Sequence, residues 1–272
     1  MKRAIRIALI CVFAGVFLFS GYRVASILLE DNRAKSTYVE LLERFRPTGQ
    51  TPSSEPSAPE PSGGTDDPHR PTQRPEPIAP NGQTIEPRVD AAALATEYPA
   101  FAGWLYCPDT EIDYPVAQSR DHFYYLNHLL DGSYNRHGCL FIDFNNSNEF
   151  TNRNTIFYGH KTSVGLMFGT LLRYKEPAYY AEHPTFYFQT ERGTTVLEIV
   201  AAYSTDAYSE AYTYDFTSDE AFLRYIEEAV RCSEFQSGVT VDADDRIVTL
   251  STCENVSGDA RFVVICRVGE TK

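Results

Sequence analysis

Three residue types able to carry acyl-transfer chemistry stand at the ends of three apolar runs in this chain. Cys253 closes the run Ile247-Val248-Thr249-Leu250-Ser251-Thr252. Arg261 opens the run Phe262-Val263-Val264-Ile265-Cys266, and His160 follows Asn154-Thr155-Ile156-Phe157-Tyr158-Gly159. Runs this rich in β-branched and aromatic residues read as strands. A side chain at a strand end is held firmly and still reaches solvent. Two strands joined by a short loop bring the Cys253 thiol and the Arg261 guanidinium together, and a nearby cation favours the thiolate, which is the nucleophile. An imidazole, with an ordinary pKa of about 6.5, both gives and takes a proton near neutral pH. Each residue alone also has a plain structural reading: a buried cysteine, a surface arginine, a histidine in a satisfied turn. The three together fit a cysteine transferase or peptidase.

The elements that must position them are mostly strands. Runs at 104–106, 112–116, 138–144, 155–158, 185–189, 194–204, 247–253 and 262–268 have strand character. Strand alternation puts Tyr158 on the face of His160 and Ser251 on the face of Cys253. Val89 to Tyr98 reads as a short helix, and Asp121 to Leu130 as a short helix or helical turn. Thr217-Ser218-Asp219-Glu220 has the form of a capping box, with Thr217 as N-cap. The apolar stripe Ala221, Phe222, Tyr225, Ile226, Ala229 and Val230 then predicts a helix over about 217–233. The tyrosine-rich stretch Thr205 to Tyr214 is expected to form a loop over the groove. Many short strands with few helices predict a mainly β fold, a closed or nearly closed barrel.

The N-terminal third is organised differently. Residues 1–6 are a basic tail, and residues 7–22 are uncharged and almost wholly apolar up to Arg23. This segment, 7–23, is short for a bilayer core, and Arg6 and Arg23 would snorkel from its two ends. Basic residues before the span predict an N-inside, C-outside topology. A signal peptide cleaved near Val24-Ala25-Ser26 competes with an uncleaved anchor. Residues 24–46 read as a juxtamembrane helix, with Tyr38, Leu41, Leu42 and Phe45 at helical spacing. Residues 47–87 hold 11 of the chain's 16 prolines and predict an extended linker before a catalytic domain at 88–272.

Charge and cysteines narrow the function further. Residues 1–87 are electrically balanced, so the whole net charge of −13 falls in 88–272. That argues against nucleic acid as a partner and is compatible with a cationic amine as one reactant. The six cysteines lack zinc-type spacing, so no metal is expected. Cys11 lies in the apolar span. Cys107, Cys139, Cys232 and Cys266 read as small buried residues, although an exported protein can pair two of them.

Thr249-Leu250-Ser251-Thr252-Cys253, Tyr158-Gly159-His160 with the following Gly165-Leu166-Met167-Phe168-Gly169-Thr170-Leu171, and the late Arg261 together resemble the signature regions of the sortase family, class B in particular. A fourth matching segment runs from Gly103-Trp104-Leu105-Tyr106 through Ile112-Asp113-Tyr114-Pro115-Val116 to Tyr125-Leu126-Asn127-His128. The likeness extends in one order from about Ala91 to Val268, although eight residues from Cys253 to Arg261 is a short step for the family. It implies a closed eight-stranded barrel with an N-terminal helix, an extra helix before the cysteine strand, and a retained membrane anchor on a Gram-positive-type cell envelope. It implies a transpeptidase that cuts exported proteins at a C-terminal sorting signal, at a Thr–X bond, through a thioacyl intermediate. The acceptor would be an amine of a cell-wall precursor or a pilin, and no cofactor is implied. Cys253, His160 and Arg261 would be catalytic, and Tyr158, Ser251, Asn127 and Glu254 would contact substrate.

Two other readings compete. Arg136-His137-Gly138-Cys139 is similar to the His-Gly-Cys core of L,D-transpeptidases, with Cys139 as nucleophile. Those enzymes place Ser before the His and Arg two residues after the Cys, where this chain has Arg136 and Phe141. A non-catalytic, membrane-tethered binding domain would require Cys253, His160 and Arg261 to lie far apart.

Overall fold

The apolar runs close into a barrel. A computed structural model describes residues 2–47, 85–162, 165–254 and 258–272. Its strands are β1 (Phe101–Tyr106), β2 (Asp113–Gln118), β3 (Leu140–Ile142), β4 (Asn154–Tyr158), β5 (Thr185–Thr190), β6 (Gly193–Asp206), β7 (Ile247–Cys253) and β8 (Ala260–Thr271). They form a closed barrel in the order β1-β2-β3-β4-β7-β8-β6-β5. Closure leaves no sheet edge exposed. The pairs β2–β3 and β4–β7 are parallel, and the remaining neighbours are antiparallel. Trp104, Phe157, Phe186, Phe188 and Phe262 fill the interior. The Trp104 indole N–H, buried with its ring, donates to Asp113 Oδ1 at 2.7 Å.

Four α-helices decorate the barrel: α1 (Lys2–Arg44), α2 (Ala91–Glu97), α3 (Pro177–Glu182) and α4 (Asp219–Cys232). Helix α4 lays Phe222, Tyr225, Ile226 and Ala229 on Val200 and Tyr203 of β6 and Val263 and Ile265 of β8. Its N-cap is Ser218, one residue later than the capping-box pattern predicts. Ser218 has extended backbone angles, and its hydroxyl accepts from the Ala221 N–H at 3.2 Å. Asp90 caps α2 in the same way.

Some local expectations fail. The predicted helix over Asp121–Leu130 is a single 3-10 turn, Tyr124–Leu126, because the Asp121 carboxylate accepts from the Phe123 and Tyr124 N–H groups and ties the chain into a tight turn. The strand expected at 138–144 shortens to Leu140–Ile142. Helical turns at Phe168–Lys175 and Glu210–Tyr212 carried no signal that was read, and neither did α3. Cys232 is exposed at the end of α4 with its thiol beside Glu228, not buried as expected.

Helix α1 unites the predicted span and juxtamembrane helix in one rod, about 64 Å long at 1.5 Å per residue. Large apolar residues such as Ile10, Phe13, Phe17, Phe19, Val24 and Leu29 are exposed along it, whereas Asp31, Ala34, Tyr38, Leu41 and Phe45 are buried against the barrel. Most of the proline-rich segment, 48–84, lies outside the described residues. Its flanks meet: the Asp90 N–H donates to the Phe45 carbonyl at 2.6 Å.

Candidate active site

The barrel brings the three side chains expected to react into one cleft. In the parallel β4–β7 pair, Tyr158 stands opposite Ser251, and the Gly159 N–H continues the ladder to the Ser251 carbonyl at 3.1 Å. Two residues further along each chain are His160, just past the end of β4, and Cys253, the last residue of β7. In the antiparallel β7–β8 pair, Cys253 is the direct partner of Arg261. Directly opposed residues have Cβ atoms roughly 4.5–5.5 Å apart. All three line a cleft of about 490 Å³, within the size range of small-ligand and peptide pockets.

Each is held by its own contacts. The His160 ring donates from Nε2 to the Leu126 carbonyl at 2.6 Å, leaving Nδ1 for proton exchange. Burial pushes the His160 pKa down, and the Leu126 carbonyl, which favours the charged ring, only partly offsets this. The Arg261 Nη1 donates to the Gly258 and Ala260 carbonyls, each at 3.1 Å, which fixes the guanidinium at the loop. The Glu254 N–H closes on the Ala260 carbonyl at 3.0 Å, so the turn beyond Cys253 starts as a continuation of the hairpin.

The cleft walls are aromatic and polar. Tyr158 stacks on Tyr212 with 6.3 Å between centroids, and Tyr212 and Ser251 share a hydroxyl hydrogen bond of 2.7 Å. The Tyr158 hydroxyl donates to Asp143 Oδ2 at 3.1 Å. Burial, with the Asp143 charge beside it, raises the Tyr158 pKa far above the ordinary phenol range, so this hydroxyl stays a donor. His122 lines the cleft too, edge-on to Phe144 and with Nδ1 3.5 Å from Asp143 Oδ2.

Of the four expected substrate contacts, Tyr158 and Ser251 line the cleft and Asn127 and Glu254 do not. Asn127 ends the 3-10 turn, and its carbonyl accepts from Asn135 N–H at 3.0 Å. The Glu254 carboxylate is taken up by Lys175, which holds it below the ordinary carboxylate range, and its carbonyl accepts from Lys161 Nζ at 2.6 Å. Sequence reasoning did not single out Leu126, Asp143, His122 or Tyr212. Leu126 acts through its carbonyl, which no residue type signals. Asp143, a lone carboxylate ending an apolar run, was the readable one. Tyr212 lay in the stretch expected to cover the groove, and Ala207, Tyr212 and Tyr214 do line it.

The L,D-transpeptidase reading fails on Cys139. That thiol is 2% exposed, at the start of β3, and burial pushes its pKa up to about 12. A buried, protonated thiol is inert as a nucleophile. The non-catalytic reading required the three residues to lie apart, and they share one cleft. Cys107, Cys139, Cys232, Cys253 and Cys266 are all free thiols. Among the described residues no group of three His, Cys, Asp or Glu side chains is arranged to hold a metal ion.

Comparison with known proteins gives a consistent set. A sortase domain model matches residues 105–268. The chain is 31% identical over 247 residues to Sortase B of Listeria monocytogenes, covering 91% of this chain and 89% of that protein. It is 27% identical over 270 residues to Sortase B of Staphylococcus aureus, covering 98% of each. The Staphylococcus aureus sortase B-substrate complex superposes with a TM-score of 0.64 at 31% identity, over 67% of this chain and 86% of that one. Sortase B from Bacillus anthracis in complex with AAEK1 gives 0.61 at 34% identity, over 67% and 85%.

Proposed function

The chain belongs to the sortase family, class B, and is a cysteine transpeptidase; from that premise we propose that it is membrane-anchored and that Cys253, His160 and Arg261 carry its reaction on exported proteins bearing a C-terminal sorting signal. The observation that carries this reading is a single cleft lined by one thiol, one imidazole and one guanidinium, with Cys253 and Arg261 directly paired across β7 and β8.

The Cys253 thiolate attacks the carbonyl carbon of a Thr–X bond in a C-terminal sorting signal. The carbonyl oxygen becomes an oxyanion, and Arg261, held at Nη1 by two loop carbonyls, offers it the remaining donors of its planar fork. The C–N bond breaks as protonated His160 gives its Nδ1 proton to the leaving amine, with Nε2–H still on Leu126. A thioester of Cys253 remains. The amine of a cell-wall precursor or pilin then attacks this thioester, gives its proton to His160 and releases the Cys253 thiolate. The walls formed by Tyr158, Tyr212 and Ser251 would bind the extended peptide. That a similar protein, the Staphylococcus aureus sortase B, is known as a substrate complex supports a substrate-binding role for this barrel. Helix α1, with large exposed apolar residues such as Ile10, Phe13, Phe17, Phe19 and Leu29, would anchor the enzyme with its N-terminus inside and its barrel outside.

The test is a pooled pentapeptide library turned over by the full chain in detergent, read by mass spectrometry. The expected result is an acyl adduct on Cys253 ending in Thr. An adduct on Cys139, or turnover unaffected by Cys253→Ala, would sink the assignment.

A further inference from the structure

The Arg136-His137-Gly138-Cys139 segment is not a nucleophilic motif, and the structure gives it another occupation: it seats α1. The Asp31 carboxylate of α1 accepts from Arg136 Nη2 at 2.5 Å and from His137 Nε2 at 2.6 Å. Asn135 Nδ2 donates to the Glu30 carbonyl at 3.0 Å. The Tyr38 hydroxyl, buried with its ring, donates to the Gly138 carbonyl at 2.8 Å. Four contacts on consecutive residues of one loop, by buried and part-buried groups, hold the helix to the barrel.

That loop lies directly against the segment that holds His160. The Cys139 N–H donates to the Tyr125 carbonyl at 2.9 Å and the Asn135 N–H to the Asn127 carbonyl at 3.0 Å. Between them is Leu126, whose carbonyl takes the His160 Nε2–H. The packing at Gly138 is so close that a Cβ there would lie 2.1 Å from the Tyr125 oxygen and 2.8 Å from the Leu126 carbonyl atoms. Its φ of +61° is also one that glycine adopts easily. A second route runs through Tyr114, which meets the Tyr38 ring edge-on at 5.3 Å and whose hydroxyl is influenced by the Met167 backbone. The next residue, Phe168, donates its N–H to the His160 carbonyl at 3.1 Å.

We propose that Tyr38 of the juxtamembrane helix is a positioning residue for His160, acting through Gly138 and the Leu126 carbonyl, so that docking of α1 completes the proton-transfer geometry. The inference rests on the reading of His160 as the proton-transfer residue. It gives the helix a part in turnover besides anchoring.

The test uses the full chain in detergent with Tyr38→Phe, Tyr38→Ala and Asp31→Asn. Tyr38→Phe keeps the ring on Tyr114 and removes only the hydroxyl bond. One net hydrogen bond corresponds to a change of roughly 2- to 10-fold. The expected result is a kcat lower by about that factor with KM unchanged. Losing a well-placed Leu126 carbonyl removes what favours the imidazolium, so the His160 pKa, read by NMR, is expected to fall. The other charged or titratable groups that line the same cleft are Cys253, Arg261, His122, Tyr158, Tyr212 and Tyr214, and the His137 charge also acts on this ring. Tyr38→Ala and Asp31→Asn are expected to exceed the Tyr38→Phe effect, and thermal melts would check that the barrel stays folded. Unchanged kcat and His160 pKa in Tyr38→Ala, with amide exchange at 30–41 accelerated to prove undocking, would overturn the inference. His160→Ala with normal turnover would remove the premise itself, and the inference with it.

Discussion

At the scale of single residues, the division between Cys253 and Cys139 is decided by environment. Cys253 is half-buried at a strand end beside Arg261, whereas Cys139 is enclosed by α1 and the barrel. Cys253→Ala is expected to abolish transpeptidation while Cys139→Ala retains it, measured by peptide turnover and by mass of the acyl adduct. At Arg261 both charge and shape count, because lysine keeps the charge and loses the planar fork. Loss of one oxyanion donor costs roughly 10²–10³ in rate, and Arg261→Lys is expected to lower kcat/KM by about that order with its melting temperature nearly unchanged. Full activity in that variant would mean that charge alone suffices. His160 is shifted by burial, which disfavours the imidazolium, so its folded pKa lies below 6.5. The ring is therefore mostly neutral at pH 7, and its protonated form gains population as pH falls. An NMR titration of His160 in the Cys253→Ala protein would check the sign, and a value above 6.5 would contradict it.

At the scale of elements, the cleft is a product of strand pairing. The parallel β4–β7 contact joins residues 93 positions apart in sequence, Tyr158 and Ser251 among them, and only the long excursion through β5, β6 and α4 makes a parallel return possible. Helix α4 rests on β6 and β8 on the outside of the barrel, away from the cleft lining. Removing its cap separates stability from chemistry. Ser218→Ala loses the bond to the Ala221 N–H, and N-cap removal typically costs about 1 kcal/mol. The expected outcome is a lower denaturant midpoint with kcat and KM unchanged. The contrast with Thr217 is a second measurement: Thr217→Ala is expected to be near neutral, since the cap belongs to its neighbour.

At the scale of the whole molecule, α1 and the linker exchange the roles that composition suggests. A proline-rich segment between an anchor and a domain reads as a spacer in series. The described residues at its flanks meet instead, through Phe45 and Asp90, and α1 reaches the barrel by itself. Docking begins at Asp31, two residues after the last exposed apolar residue of that stretch, Leu29. In the proposed membrane arrangement the barrel is thus seated close to the lipid surface by the helix, whatever the length of the linker. Replacing 48–84 with a short Gly-Ser bridge is expected to leave peptide turnover and membrane retention intact. A large loss of turnover on that replacement would restore the linker to a direct role. Retention itself is checked by N-terminal sequencing of the membrane fraction, where a start near Asp31 would remove the anchor.

Much of this protein is legible in the chain alone, because local patterns dictate it. The eight strands follow from β-branched and apolar runs, the α4 stripe from its 3.6-residue period, and the Cys253, His160 and Arg261 set from residue type at strand ends. Alternation also assigned Tyr158 and Ser251 to the reactive face, since a strand's side-chain period is two whatever surrounds it. What needed tertiary structure was every contact made by backbone or by pairing across distance. The Leu126 carbonyl carries no side-chain signature, Glu254 is withdrawn from the cleft by a lysine 79 residues away in sequence, and Asn127 faces a neighbouring loop. Cys139 already reads as a small buried residue in an imperfect His-Gly-Cys match, but nothing local shows what the segment does. Only the packed helix, with Tyr38 on Gly138 and Asp31 on Arg136 and His137, decided that it is a seat.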